Sequence, residues 1–224
     1  MLTDKSLNRQ EKGKFIVFEG VDGSGLSTQA SRLHAWLEQT TGRKVLLTKE
    51  PSEGPVGVLL RQALNKRIQG LGADTMALLF AADRLDHLNH AILPALAKGY
   101  HVICDRYLLS SLAYQGRNFP LAWLKQINAE AIAPDLTIFI RVDPVITLQR
   151  IADKRFQVDL FEQENILREV LSNYNLLVNE LGRKGQKIIE IDGNHALDDV
   201  STEILSSVQE LIPKFGVKNF QYQS

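Results

Sequence analysis

Residues 15–28 read Phe15-Ile16-Val17-Phe18-Glu19-Gly20-Val21-Asp22-Gly23-Ser24-Gly25-Leu26-Ser27-Thr28, and this run decides the fold. Phe15 to Phe18 is a short, continuously apolar segment, the pattern of a strand covered on both faces. Glycines then recur at Gly20, Gly23 and Gly25. From Ser27 to Gln39 the apolar residues Ala30, Leu33, Trp36 and Leu37 fall at helical spacing. Strand, glycine turn and helix, in that order, fit the pattern G-x-x-x-x-G-K-[ST] except at its lysine. Glycines let successive N–H groups face inward as an anion nest, and the helix start adds the positive end of its dipole. Gly20, Asp22, Gly23, Ser24, Gly25, Leu26, Ser27 and Thr28 are therefore the candidate phosphate-binding residues, with Ser27 placed to ligate a Mg²⁺ that bridges nucleotide phosphates.

Leu26 is the departure. The lysine usual at this position lies along the β and γ phosphates and offsets charge as the transferring group loosens. Leucine has neither donor nor charge, and no other residue from Gly20 to Ser27 is basic. Two readings stay open: a cation from elsewhere in the chain takes over, or the loop binds nucleotide without useful turnover.

Outward from the loop, apolar strand runs at Lys44–Thr48, His101–Cys104, Leu136–Ile140 and Lys187–Ile191 alternate with helical patterns. The helical patterns lie at about Gly57–Asn65 and Asp74–Lys98, in the segment beginning at Asp143-Pro144, and at Leu197–Ile212. A further helical stripe comprises Ile166, Val170, Tyr174, Leu177 and Leu181, for which core packing is the default reading. Such alternation implies parallel pairing through right-handed crossovers. The expected fold is α/β, a three-layer doubly wound sandwich around a five-stranded parallel sheet. Ligands of such sheets sit at the carboxyl ends of the strands. Glu19–Ser27, Lys49–Pro51 and Asp105–Tyr107 should therefore converge on one cleft.

Composition sets the outer bounds. The 224 residues are 44% hydrophobic and 23% charged, with 26 basic residues against 26 acidic ones, so the total carries no sign of a nucleic-acid or membrane partner. One cysteine, Cys104, excludes an intrachain disulfide and suits a reducing, cytoplasmic location. No apolar run approaches the roughly 20 residues that cross a bilayer. Residues 1–13 read as a flexible extension, 14–213 as a single domain, and 214–224 as a tail.

Four blocks together resemble the thymidylate (dTMP) kinase family, and the resemblance runs from about Lys14 to Ile212. They are Phe18 to Gly25 with Ser27-Thr28-Gln29; Lys49-Glu50-Pro51; Leu79-Phe80-Ala81-Ala82-Asp83-Arg84 with His87; and Asp105-Arg106-Tyr107 with Ser110-Ser111-Leu112-Ala113-Tyr114-Gln115-Gly116. The resemblance implies a P-loop nucleoside-monophosphate kinase that transfers the γ-phosphoryl group of ATP to dTMP with Mg²⁺ and acts as a homodimer. It implies that Arg106 grips the acceptor phosphate as a fork, that Asp105 serves the metal beside Ser27, and that Asp22 lies near the metal and the sugar hydroxyl. Phe80 would stack on thymine and Arg84 would bond its carbonyl edge. Lys49, Pro51, Ser111, Tyr114 and Gln115 would complete the dTMP pocket, with Tyr114 excluding a 2′-hydroxyl. The plainer alternatives are an Asp105–Arg106 surface ion pair, a turn-stabilising Asp22 and a core Phe80.

The second block departs from the family's usual Arg-Glu-Pro-Gly-Gly-Thr, reading Lys49-Glu50-Pro51-Ser52-Glu53-Gly54. Charge survives at Lys49, but not the planar fork of arginine. The resemblance also puts a lid at about residues 150–162. Arg150, Lys154 and Arg155 are the cations expected to close over ATP, and Leu160 aligns loosely with a second family arginine. Alternative readings are a nucleotide-binding protein with weak or no kinase activity, and a kinase for another nucleoside monophosphate.

Overall fold

In the computed structural model, residues 12–152 and 160–212 are described. Five strands form one parallel sheet: β1 (Phe15–Glu19), β2 (Val45–Lys49), β3 (His101–Asp105), β4 (Leu136–Arg141) and β5 (Ile188–Asp192), in the order β2-β3-β1-β4-β5. Each lies within a residue or so of the apolar run that marked it in the sequence. Strand order reverses beside β1, because the chain moves first to one side of it and then to the other. Its carboxyl end is thus the topological switch point where α/β sheets bind ligands.

The sheet is covered on both faces, as continuous hydrophobic strands require. Ile16 and Phe18 of β1 point into a core shared with Leu33 and Leu37 of α1 (Leu26–Thr41) and Ile204 and Val208 of α9 (Leu197–Leu211). Phe15 and Val17 point the other way, onto Leu88, Ile92 and Tyr107. A third cluster joins Phe139 of β4 to Leu112 and Ala113 of α5 (Leu108–Gln115) and to Val170, Tyr174 and Leu177 of α8 (Leu160–Arg183).

Between β2 and β3 run α2 (Pro55–Leu64), α3 (Ala73–His87) and α4 (Leu93–Ala97). The sequence pattern reads Asp74–Lys98 as one helix; the structure interrupts it with a π-helical turn at Leu88–Ile92, where the N–H of Leu93 bonds the carbonyl of Leu88. Pro94 supplies the reason. It has no N–H and its ring crowds the carbonyl four residues back, and a widened turn relieves both conflicts. Among the described residues there are two further helices, α6 (Leu121–Ile127), too short to show a period, and α7 (Pro144–Ala152). Among the described residues, no helix is long and apolar enough to cross a membrane.

Candidate active site

The loop after β1 takes the conformation its glycines permit. Gly23 and Gly25 sit at φ 82° and 89°, a region costly for other residues. Gly25 also occupies the N-cap of α1 without any side-chain cap, which leaves the first-turn N–H groups of that helix for a ligand. The three polar segments expected to converge do so. Val21 through Thr28 line one cleft of about 350 Å³ together with Lys49, Glu50, Asp105 and Arg106.

Leu26 is directed into the protein as well as bordering this cleft. It is buried and belongs to the core cluster of Ile140 and Val142, and a Cβ on Gly20 would come within 3.3 Å of its Cδ2. The residue in the lysine position is thus a packing residue, and the described loop presents no positive charge.

Ser27 and Asp105 meet at the floor of the cleft, where the Ser27 hydroxyl donates to Asp105 Oδ2 at 2.5 Å. A hydroxyl beside a carboxylate, both oxygen donors at the open end of a sheet, suits a hard divalent cation. Arg106 follows Asp105 directly, yet its partner is Asp22 of the loop. The guanidinium donates to Asp22 Oδ1 at 2.9 Å, to the Gly20 carbonyl at 2.9 Å and to Ser110 Oγ at 3.2 Å. An ion pair with Asp105 is therefore not what holds it. Its backbone is left-handed, at φ 70°, which is uncommon for a side chain of this size and concentrates at functional sites.

Tyr114 closes this arrangement. Its ring lies 5.5 Å beneath the Arg106 guanidinium, its hydroxyl donates to Asp22 Oδ2 at 3.2 Å and accepts from the Asp22 N–H at 3.0 Å. Burial pushes the Tyr114 hydroxyl up to about 12, against the opposing pull of Arg106. Burial works to lower the Arg106 pKa, but the facing Tyr114, Tyr174, Asp22 and Asp105 outweigh it and hold the guanidinium above the ordinary arginine range.

Behind this layer is a buried network that the sequence pattern did not single out. Glu19 ends β1 at 1% exposure and accepts from the N–H groups of Tyr107 and Leu109, from Ser110 Oγ and from the Tyr174 hydroxyl. Burial pushes its carboxyl up to about 7, even though Ser110 and the charges of Arg106 and Arg84 pull the other way. Tyr174, read from its helical period as core, also reaches the Gly20 carbonyl at 3.1 Å. The helix that carries Tyr174 is therefore tied directly to the phosphate loop. One signal was present in the sequence: Glu19 is an acid at the end of an otherwise apolar strand.

The remaining acceptor candidates lie behind the cleft, Tyr114 and Arg84 among them in contact with residues that line it. Phe80, Arg84, Ser111, Tyr114 and Gln115 do not line it. Arg84 is 1% exposed and holds Glu50 Oε2 at 2.8 Å, Ser111 Oγ at 2.8 Å and the Tyr107 carbonyl at 3.1 Å, and it bonds Asn128 as well. Its Nε, like Gln115 Oε1, has no partner among the described residues. Phe80 is half-buried, one turn before Arg84. The Glu50–Pro51 peptide is cis, and Pro51 is followed by Ser52, whose N–H and hydroxyl both bond the buried carboxylate of Asp83. That pair fixes the turn that follows Lys49 and contains Pro51.

On the far side, Arg150 Nη2 donates to the Gly193 carbonyl at 3.0 Å and so joins α7 to the loop after β5. Lys154 and Arg155 lie outside the described residues, as does most of the expected lid. Cys104 is fully buried, and burial raises its thiol well above the ordinary range, consistent with an inert core residue.

The chain is similar to known proteins along most of its length. The family model described as thymidylate kinase matches residues 18–204. A thymidylate kinase of Caldicellulosiruptor saccharolyticus is 37% identical over 210 residues, covering 91% of this chain and 99% of its own. A probable thymidylate kinase of Pyrococcus horikoshii is 38% identical over 203 residues (88% and 97%), and one of Pyrococcus abyssi is 45% identical over 168 residues (73% and 82%). A glycine loop at the switch point, a serine and an aspartate meeting on its floor, and an arginine that follows the third strand and bonds the loop thus come with similarity along nearly the whole length: the chain belongs to the thymidylate kinase family.

Proposed function

We propose that this chain transfers the γ-phosphoryl group of ATP to dTMP, giving dTDP and ADP, and that the divalent metal it uses is Mg²⁺. The observation that carries the reading is Arg106, held at the mouth of the phosphate loop by Gly20, Asp22 and Ser110 with its guanidinium already oriented. An oxygen of the dTMP phosphate attacks the γ-phosphorus, the bond from that phosphorus to the bridging oxygen breaks, and ADP leaves. Such transfer needs positioning and charge neutralisation rather than a covalent intermediate. Arg106 would hold the acceptor phosphate in line, Lys49 would add a point charge, and the loop N–H groups would hold the donor phosphates. Ser27 and Asp105 would hold the metal, which neutralises charge on the β and γ phosphates when bound.

Because Leu26 contributes no charge, Arg150 and Arg155, together with Lys154, are assigned the missing part of the donor site. Alanine at Arg150 and at Arg155 in turn is expected to lower turnover about tenfold or more. Losses under about threefold in both would remove this assignment. The domain boundaries proposed above, 14–213 with a lid near 150–162, go with it.

The direct test of function is ADP release from ATP and Mg²⁺ with a panel of nucleoside monophosphates. Fastest release with dTMP is the expected result; a different best acceptor would change the substrate, and binding without turnover would remove the kinase reading.

A homodimer is part of the proposal, in a cytoplasmic setting and without nucleic acid. Leu78 and Leu85 are both exposed and lie seven residues apart on one stripe of α3, and Val58 and Leu59 of α2, which packs on α3, are exposed too. These exposed apolar side chains on two packed helices are assigned to the association face. Leu78→Glu is expected to convert the dimer to a monomer in light scattering, with the melting transition retained. A wild-type protein that is monomeric at micromolar concentration would remove this part of the proposal.

A further inference from the structure

Among the described residues, the two basic side chains that line the cleft are each paired with a carboxylate. Arg106 is paired with Asp22, and the Lys49 ammonium lies 3.3 Å from Glu53 Oε1. The two pairs differ in kind. Asp22 belongs to the phosphate loop. Glu53 stands where the family's usual block has a glycine, and it does not line the cleft. Glu53 is also fixed from behind: its other carboxylate oxygen lies 3.2 Å from Arg61 Nη2, and Arg61 donates to the carbonyls of Pro51 and Ser52. Arg61 thus ties the acid to the turn that follows Lys49 and leaves one oxygen facing the ammonium. The Lys49 side chain is 57% exposed, so little packing fixes its tip, and Glu53 is the ion-pair partner that biases where the charge sits.

We propose that Glu53 is a positioning residue that sets the affinity for the acceptor phosphate, by holding the Lys49 ammonium that the phosphate must capture. It rests on the acceptor role given to Lys49 in the proposed function. A phosphate dianion arriving at Lys49 has to displace a carboxylate and remain near its negative charge. Removing that charge frees the ammonium and removes a repulsion of the incoming anion. Both charges are exposed, so the effect is modest and falls as salt rises.

The test compares wild type, Glu53→Gln, Lys49→Ala and the double variant. Calorimetric binding of dTMP without ATP is measured alongside KM and kcat. Glu53→Gln is expected to tighten dTMP binding and lower KM by about two- to fivefold at low ionic strength, with kcat changed less than about twofold. The gain should vanish when Lys49 is alanine and shrink in about 0.5 M salt. A change of equal size in the Lys49→Ala background, or weaker binding in Glu53→Gln, overturns the proposal. If dTMP binds and reacts but Glu53→Gln leaves its affinity unaltered, the proposal fails and the kinase reading stands. If no variant binds dTMP, the reading and the proposal fall together. Melting temperatures within a degree or so across the set are expected, since Glu53 is on the surface.

Discussion

Replacing Arg106 by alanine is expected to lower kcat/KM for dTMP by about 10³-fold, while the protein stays folded. The physical reason is pre-organisation. The guanidinium is already aimed by the Gly20 carbonyl, Ser110 and Asp22, with Tyr114 beneath its face, so little rotational freedom is lost when a phosphate arrives. Lysine retains the charge but cannot span Gly20 and Asp22 with one ammonium, and Arg106→Lys should remain about 10²-fold below wild type. Glycine at this position separates loss of the side chain from strain of the backbone. It removes the guanidinium but accepts the left-handed backbone at φ 70° without steric cost. Arg106→Gly is therefore expected to melt above Arg106→Ala and to be as inactive. ADP release and thermal melting measure the two effects. An Arg106→Ala protein within tenfold of wild-type activity would take Arg106 out of the acceptor site.

Glu19→Ala is expected to cost about 4 kcal/mol of folding stability, the largest effect of any single replacement around the loop. Four donors converge on its carboxylate: the N–H groups of Tyr107 and Leu109, the Ser110 hydroxyl and the Tyr174 hydroxyl. Alanine leaves the two buried N–H groups without acceptors, at roughly 1–3 kcal/mol each, and adds a cavity. Glutamine keeps one oxygen for those N–H groups, and the two hydroxyls can turn to accept from its amide, so Glu19→Gln should cost clearly less.

The pH dependence has a definite sign. Burial raises the Glu19 pKa from 4.5 to about 7, so the folded protein binds this proton more tightly than the unfolded chain. The contribution is fully present below the unfolded value and is lost as pH rises through the folded one. Relative to Glu19→Gln, wild type should lose about 3 kcal/mol between about pH 4.5 and about pH 7.5. Urea denaturation of the two proteins across this range measures it. A flat difference would show that the four donors hold Glu19 ionised despite its burial.

The strands were legible because residues such as Phe15–Phe18 and Leu136–Ile140 are apolar without interruption, and a strand buried on both faces has no other requirement. The π-turn at Leu88–Ile92 was not legible, because helical periodicity continues through it and Pro94 alone marks the conflict. Tyr174 was read as core for a similar reason. A tyrosine at an apolar position satisfies the helical period whether or not its hydroxyl has a partner. Arg84 is a reminder in the other direction: a charged residue at helical spacing from Phe80 lies almost wholly inside, held by Glu50, Ser111 and Tyr107.

By itself, the sequence determined the layered fold, the phosphate loop and its missing lysine, and the convergence of Ser27, Asp105 and Arg106 on one cleft. These follow from hydrophobic period, glycine spacing and the rule that parallel strands present their carboxyl ends together. Only the tertiary structure decided which charges meet: Arg106 with Asp22, 84 residues away, Tyr174 with Gly20, and Lys49 with Glu53. Period and spacing record which side of an element faces inward. Ion pairs and hydrogen bonds depend on which elements the sheet order brings side by side, and on a few ångströms of reach that no local pattern encodes.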